Sequence, residues 1–338
     1  MEPLPGPCRP LPRALAALAC AAAAALLGPH APAAAQASAA AFPAKPITFV
    51  VPFAAASATD QIARALGQAI THQTQQPVII DNRAGASGFI ASQYVAKAPA
   101  DGYTLLVTTN TTHAANEHLY KKLPYDPVKD FAPVAAVGKG GQIMVVNGAS
   151  PAKNVAEFIA LAKKDPGQLS FGSGSSSSRM AGELLQQLAG IKLLHVPYKS
   201  NPLAVTDLMG GQIDMMITDT ATGLPQVKAG KLRALGVSGA RRSPLAPEVP
   251  TIAEAGVPGY EMGYWFAVYA PARTAPAVVQ RLNALLVQAA KSDSARASFY
   301  QPTGTEVFTT TPGELAKFQA AESRKWAQII QAAGIQPE

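Results

Sequence analysis

Strand-like and helix-like segments alternate along this chain, and the alternation restricts its fold more than any other feature. Ile47-Thr-Phe-Val-Val51 is a short apolar, β-branched run, the pattern of a strand buried on both faces. From Thr59-Asp60 an amphipathic stretch follows, with Ile62, Ala63, Leu66 and Ile70 at helical spacing. Residues 77–80 predict a second strand, 89–97 a second helix and 103–107 a third strand. Strand, helix, strand, helix, strand specifies an α/β fold with a parallel sheet. The pattern then returns, with strands expected over 142–146, 169–171, 193–196, 214–217 and 232–237 and helices over 155–163 and 179–189. Ser243 to Tyr260 is Pro/Gly-rich and reads as a crossover linker, and Trp265–Tyr269 returns to strand. Helices over 276–291 and 312–333 close the chain, the second with Thr311 as N-cap, Pro312 at its first position and Glu314 at its third. Two similar halves predict a bilobed α/β protein with a hinged cleft: lobe one over 42–139 plus 259–338, lobe two over 140–258.

The first 35 residues stand apart. Arg9 and Arg13 precede an alanine-rich apolar run from Leu15 to Leu27, and Ala33-Ala34-Ala35 before Gln36 offers a cleavage site. That order is a secretory signal peptide and predicts a periplasmic protein. Both cysteines, Cys8 and Cys20, lie inside it, so the mature chain is expected to hold no disulfide and no cysteine nucleophile. The formal net charge is +7, of which Arg9, Arg13 and Glu2 supply +1, leaving +6 on the mature chain. The charge is dispersed, with no basic stripe interleaved with aromatics, which argues against nucleic-acid binding and allows attraction of small anions.

Ligands of open α/β sheets bind beyond the carboxyl ends of the strands, so the strand-to-helix loops hold the candidate residues. The loop after the first strand contains Phe53, Ala56, Ser57, Ala58, Thr59 and Asp60. Backbone N–H groups at the helix start and the positive end of its dipole make an anion site there, with Ser57 and Thr59 as hydroxyl donors. Alternatively, Thr59 or Asp60 merely caps the helix. After the third strand the run Thr108-Thr109-Asn110-Thr-Thr-His113 suits a polar solute. In the second half, Gly172–Ser178 offers Ser173 and Ser175 at a helix start, with Arg179 beside them, while Thr218 and Asp219 follow a later strand. A guanidinium near a helix start opposes the dipole, so Arg179 is expected to face the cleft and select a second carboxylate, or else to pair with Glu183.

Catalytic patterns are poorly represented. There is no G-x-S-x-G elbow, no H-E-x-x-H and no P-loop. Ser150-Pro-Ala-Lys153 matches S-x-x-K, but Pro151 interrupts the helix such a motif needs. The inventory of hydroxyls and donors is that of a binding site, so no catalysis, metal or cofactor is expected. An exported hydrolase using Ser173, or Ser175 through Ser178, would need a base and an orienting acid that the sequence does not supply.

Ten segments in order carry a family resemblance. They include Phe42-Pro-Ala-Lys-Pro-Ile47, Val50-Val-Pro-Phe53 with Thr59-Asp60, Ala100-Asp-Gly-Tyr-Thr-Leu105 and Leu123-Pro-Tyr-Asp-Pro-Val-Lys-Asp-Phe-Ala-Pro133. Further on come His195-Val-Pro-Tyr-Lys199, Gly210-Gly-Gln-Ile-Asp-Met-Met216, Lys228-Ala-Gly-Lys-Leu-Arg-Ala-Leu235 and Trp265-Phe266. The chain resembles the Bug receptors, the extracytoplasmic solute-binding proteins of the tripartite tricarboxylate transporter family. The resemblance implies a bilobed, type II-like periplasmic binding-protein fold. It also implies a small carboxylate ligand, membrane permease subunits as partners and a monomeric state; docking on a membrane sensor kinase is the alternative role. The family's paired glycines before x-Thr-Asp are here Ala56 and Ser57, and an alanine held at positive φ costs about 1 kcal/mol or more. The serine-rich loop is also about two residues shorter than the family's, and Ser200 replaces a glycine.

Overall fold

The computed structural model describes Phe42–Pro337, so the expected signal peptide lies outside the described residues. Strand β1 (Ile47–Val51) is buried at four of its five positions, as its apolar run requires. It lies between two parallel neighbours, β2 (Val78–Asn82) and β3 (Thr104–Thr109). Parallel neighbours need crossovers, and these are helices α1 (Ala58–Thr74) and α2 (Phe89–Ala96). A π-helical turn over Thr111–Ala115 and the short helix α3 (Asn116–Leu119) follow β3.

The next strand, β4 (Phe131–Asn147), runs for 17 residues and joins the two halves of the sheet. Only its end was legible in the sequence, because Pro133, Gly138, Gly140 and Gly141 weaken the strand signal of its first part. Phe131–Gly141 pairs antiparallel with β9 (Gly263–Pro271), which also pairs with β3. Gln142–Val146 pairs antiparallel with β7 (Met215–Asp219), and Ile143–Asn147 with β8 (Leu232–Val237). Strand β5 (Ser170–Ser173) lies parallel to β7 and to β6 (Leu194–Pro197). The strand order is β2-β1-β3-β9-β4-β7-β5-β6, with β8 on β4.

Helices α4 (Val155–Lys164), α5 (Ser176–Ala189), α6 (Asn201–Met209) and α7 (Thr220–Lys228) connect the second half. Helices α8 (Pro276–Lys291) and α9 (Pro312–Ala332) follow β9. The capping box expected at Thr311 is present: its hydroxyl accepts from Glu314 N at 3.3 Å while Glu314 Oε2 accepts from Thr311 N at 2.8 Å. In the first half, Phe49, Leu66, Ile70 and Val107 pack with Leu282 and Leu286 of α8. In the second, Ile143, Val145 and Met216 pack with Leu208 of α6 and Leu224 of α7. Each helix thus covers the sheet with its apolar face and leaves the strand ends to the loops. Among the described residues no helix is long and apolar enough to cross a membrane.

Candidate functional site

The carboxyl ends of β1, β3, β5 and β7 open onto one cavity with about 370 Å³ of empty space, its mouth included. Phe53, Ser57, Ala58 and Thr59 form the wall after β1. Ser57 caps α1, its hydroxyl accepting from Asp60 N at 3.3 Å, so neither Thr59 nor Asp60 is the cap and both lie within the first turn. Asp60 is turned away from the cavity. Its carboxylate accepts from Ala56 N at 2.9 Å and Asn82 Nδ2 at 3.0 Å and takes both prongs of Arg64 at 3.0 Å. Burial alone would raise its pKa. The Arg64 guanidinium, the Ala56 amide and the Asn82 amide outweigh burial and hold the carboxyl below its ordinary 3.8. Asp60 braces this loop, and Ala56, at φ +64°, is the bend it braces.

Of the candidates after β3 only Thr109 reaches the cavity. The run expected to be a loop is not one: β3 continues through Thr109, and the π-helical turn winds the following side chains into the core. Thr108 bonds Thr112 Oγ1 at 2.7 Å. His113 is fully buried, stacked 3.8 Å from Tyr269, with Nδ1 2.8 Å from Thr112 Oγ1. Burial lowers its pKa to about 3, so it is neutral and offers no charge to an anion. Asn110 is also fully buried, off the cavity, and its side-chain amide has no hydrogen-bond partner.

Gly174, Ser175 and Ser177 form the wall after β5. Ser175 caps α5, accepting from Ser178 N at 3.2 Å, so the helix opens three residues before the expected Arg179. Gly174 has to be glycine, because a Cβ there would lie 1.9 Å from the Ser200 carbonyl carbon and 2.2 Å from Asn201 N. Two candidates of this loop do not line the cavity. Ser173 is off the wall, its hydroxyl 2.7 Å from His195 Nε2. Arg179 is off it too, largely buried, with Nε 4.0 Å from Glu183 Oε1 four residues on. The Ser173–His195 pair supplies the base a hydrolase would need, but outside the cavity.

Asp219 completes the wall at the end of β7. Its carboxylate caps α7, accepting from Thr222 N at 2.8 Å, and accepts from Asn201 Nδ2 at 2.8 Å. Thr218 is fully buried, off the wall, and donates to Asp219 at 3.4 Å. Sequence reasoning missed Gln142, Asn201, Tyr264 and Phe266, which also line the cavity. Asn201 had a signal: Ser200-Asn201-Pro202 places serine at the cap and proline in the first turn of α6. The others sit inside strands, where no polar-loop signal exists. Among the described residues the cavity wall carries no lysine, arginine or histidine and one carboxylate. Among the described residues no group of three or more His, Cys, Asp or Glu could hold a metal.

The family profile described as "Tripartite tricarboxylate transporter family receptor" matches residues 62–335. Protein BugT of Bordetella pertussis is 35% identical over 89% of this chain and 93% of its own length. A solved structure of R. palustris Rpa4515 with adipate is 35% identical, with a TM-score of 0.85 over 88% of this chain and 100% of that one. MatC from Rhodopseudomonas palustris with bound malate is 32% identical, with a TM-score of 0.81 over 86% of this chain and 100% of that one. The bilobed periplasmic binding-protein fold expected from the sequence is the fold of these neighbours.

Proposed function

The chain belongs to the tripartite tricarboxylate transporter receptor family, and from that premise we propose that it is a periplasmic receptor which captures a small carboxylate between two lobes and presents it to membrane permease subunits. The lobes are residues 42–139 with 259–338, and 140–258, joined where β4 passes Gly141-Gln142 and where the chain returns between Ser238 and Met262. One observation carries the proposal: the N-termini of α1 and α5, one from each lobe, face the same cavity with Ser57, Thr59, Ser175 and Ser177 on its wall. Two helix starts supply N–H donors and the positive ends of two dipoles, which favour a carboxylate without any cationic side chain. The relatives solved with adipate and malate support the ligand class. The receptor acts as a monomer, without cofactor or catalysis.

Native mass spectrometry of freshly purified mature protein, followed by calorimetric titration with short aliphatic carboxylates, tests this. One small acid per chain is the expected result. Binding of a neutral sugar with no response to any carboxylate would overturn it.

A further inference from the structure

The cavity wall is not simply an anion site. Two of its groups accept hydrogen bonds, and one of them, the Asp219 carboxylate, repels a second negative charge. Asp219 is 7% exposed and, among the described residues, is the only charged side chain on the wall. Gln142 is 1% exposed, lines the same cavity, and its side-chain Oε1 has no hydrogen-bond partner. The two are register partners across β4 and β7, so their side chains leave the same face of the sheet as neighbours. A buried amide oxygen left unpaired is costly and is normally satisfied. Asp219 already accepts from Thr222 N, Asn201 Nδ2 and Thr218 Oγ1, and its two oxygens can accept one more donor. By capping α7 with its own carboxylate, Asp219 also fills a third helix N-terminus that an anionic group would otherwise use.

Building on the carboxylate reading above, we propose that the ligand carries a hydrogen-bond-donating substituent, an ammonium or a hydroxyl, at the end remote from its bound carboxylate, and that Gln142 and Asp219 accept from it. A plain dicarboxylate would place its second negative charge beside Asp219, in a cavity where no described residue supplies a cation to offset it. The site is thus complementary to an amino acid or hydroxy acid, with the charge of Asp219 favouring the ammonium.

Calorimetric titration of the intact mature protein with matched four- to six-carbon acids reads this directly. The acids end in methyl, hydroxymethyl, aminomethyl or carboxylate; the six-carbon set is hexanoate, 6-hydroxyhexanoate, 6-aminohexanoate and adipate. The aminomethyl or hydroxymethyl acid should bind at least about tenfold more tightly than the methyl acid and the diacid of the same length. Asp219→Asn keeps a capping side chain on α7 and removes the charge, so it should narrow or reverse the preference for the amino acid over the diacid. Gln142→Met keeps the volume and removes the acceptor, so it should weaken the hydroxy acid more than the methyl acid. A diacid that binds the wild type as tightly as the amino and hydroxy acids, or a preference unchanged in Asp219→Asn with its melting transition intact, would overturn the inference while leaving the carboxylate receptor standing. No binding by any of the acids would instead overturn the receptor reading itself.

Discussion

Ala56 holds φ at +64°, a conformation that costs an L-residue with a Cβ about 1–2 kcal/mol. The strain persists because Asp60 accepts from its N–H at 2.9 Å, which bends the chain into the start of α1. Ala56→Gly should therefore raise stability by about 0.5–1 kcal/mol, the relief of strain being partly offset by the freer unfolded chain. Urea unfolding would show the gain, and a lower midpoint would mean the loop needs the methyl group. Asp60 itself sets a pH dependence. Its folded-state pKa lies below the ordinary 3.8, so its stabilising effect is present above that value and is lost as pH falls through the folded pKa. Asp60→Asn should be less stable than wild type at neutral pH, and the difference should shrink below about pH 4. Parallel acid-unfolding curves for the two proteins would contradict this assignment.

A misread helix start explains where Arg179 lies. Hydrophobic spacing locates the middle of a helix but not its first turn when that turn is a run of serines or alanines. Hence α5 opens at Ser176 rather than Arg179, and Arg179 reaches Glu183 instead of the cavity. Two helices, α6 and α7, went unread because their apolar faces are short and each follows a strand without a long loop. The crossing between the halves depends on Ser238. Its buried hydroxyl accepts from Gln142 N at 2.7 Å and donates to Met262 O at 2.6 Å, tying β4 to the returning chain. Ser238→Ala leaves the Gln142 amide unpaired in the interior and should cost about 1–3 kcal/mol. Calorimetric unfolding of the ligand-free protein measures that cost, and an unchanged transition would show that the hydroxyl does not join the strands.

Across the whole chain, the lobes proposed above share apolar packing, with Met180, Ala181 and Leu185 in one buried cluster with Tyr260, Trp265 and Trp326, and polar contacts add to it. Ser176 Oγ donates to Asn116 Oδ1 at 3.0 Å, and Thr220 Oγ1 donates to the Thr303 carbonyl. Both contacts join residues 140–258 to the remainder, so both should form on closing and break on opening. Ser176→Ala removes one of them without touching the capping hydroxyl of Ser175. It should weaken ligand binding by about 0.5–1.5 kcal/mol, mainly through faster release, and leave the ligand-free melting transition in place. Stopped-flow displacement reads the release rate; an unaltered rate would mean this contact is not part of the closed state.

Local pattern was enough for the α/β class, for β1 to β3 with their crossovers, for the capping box of α9 and for the order of segments that marks the family. These depend on side-chain periodicity and on caps a few residues apart. The cavity wall is a different matter, because it gathers side chains as far apart in sequence as Phe53 and Phe266. Tyr264 and Phe266 reach it and Trp265 does not; its indole N–H donates to Glu322 at 3.1 Å. Successive strand residues point to opposite faces, so one position of register decides which aromatic meets the ligand. The same rule separates Thr109 on the wall from Thr108 and Asn110 behind it. Whether a polar residue binds or braces follows from where its strand ends and what packs against it, and long-range packing settles both.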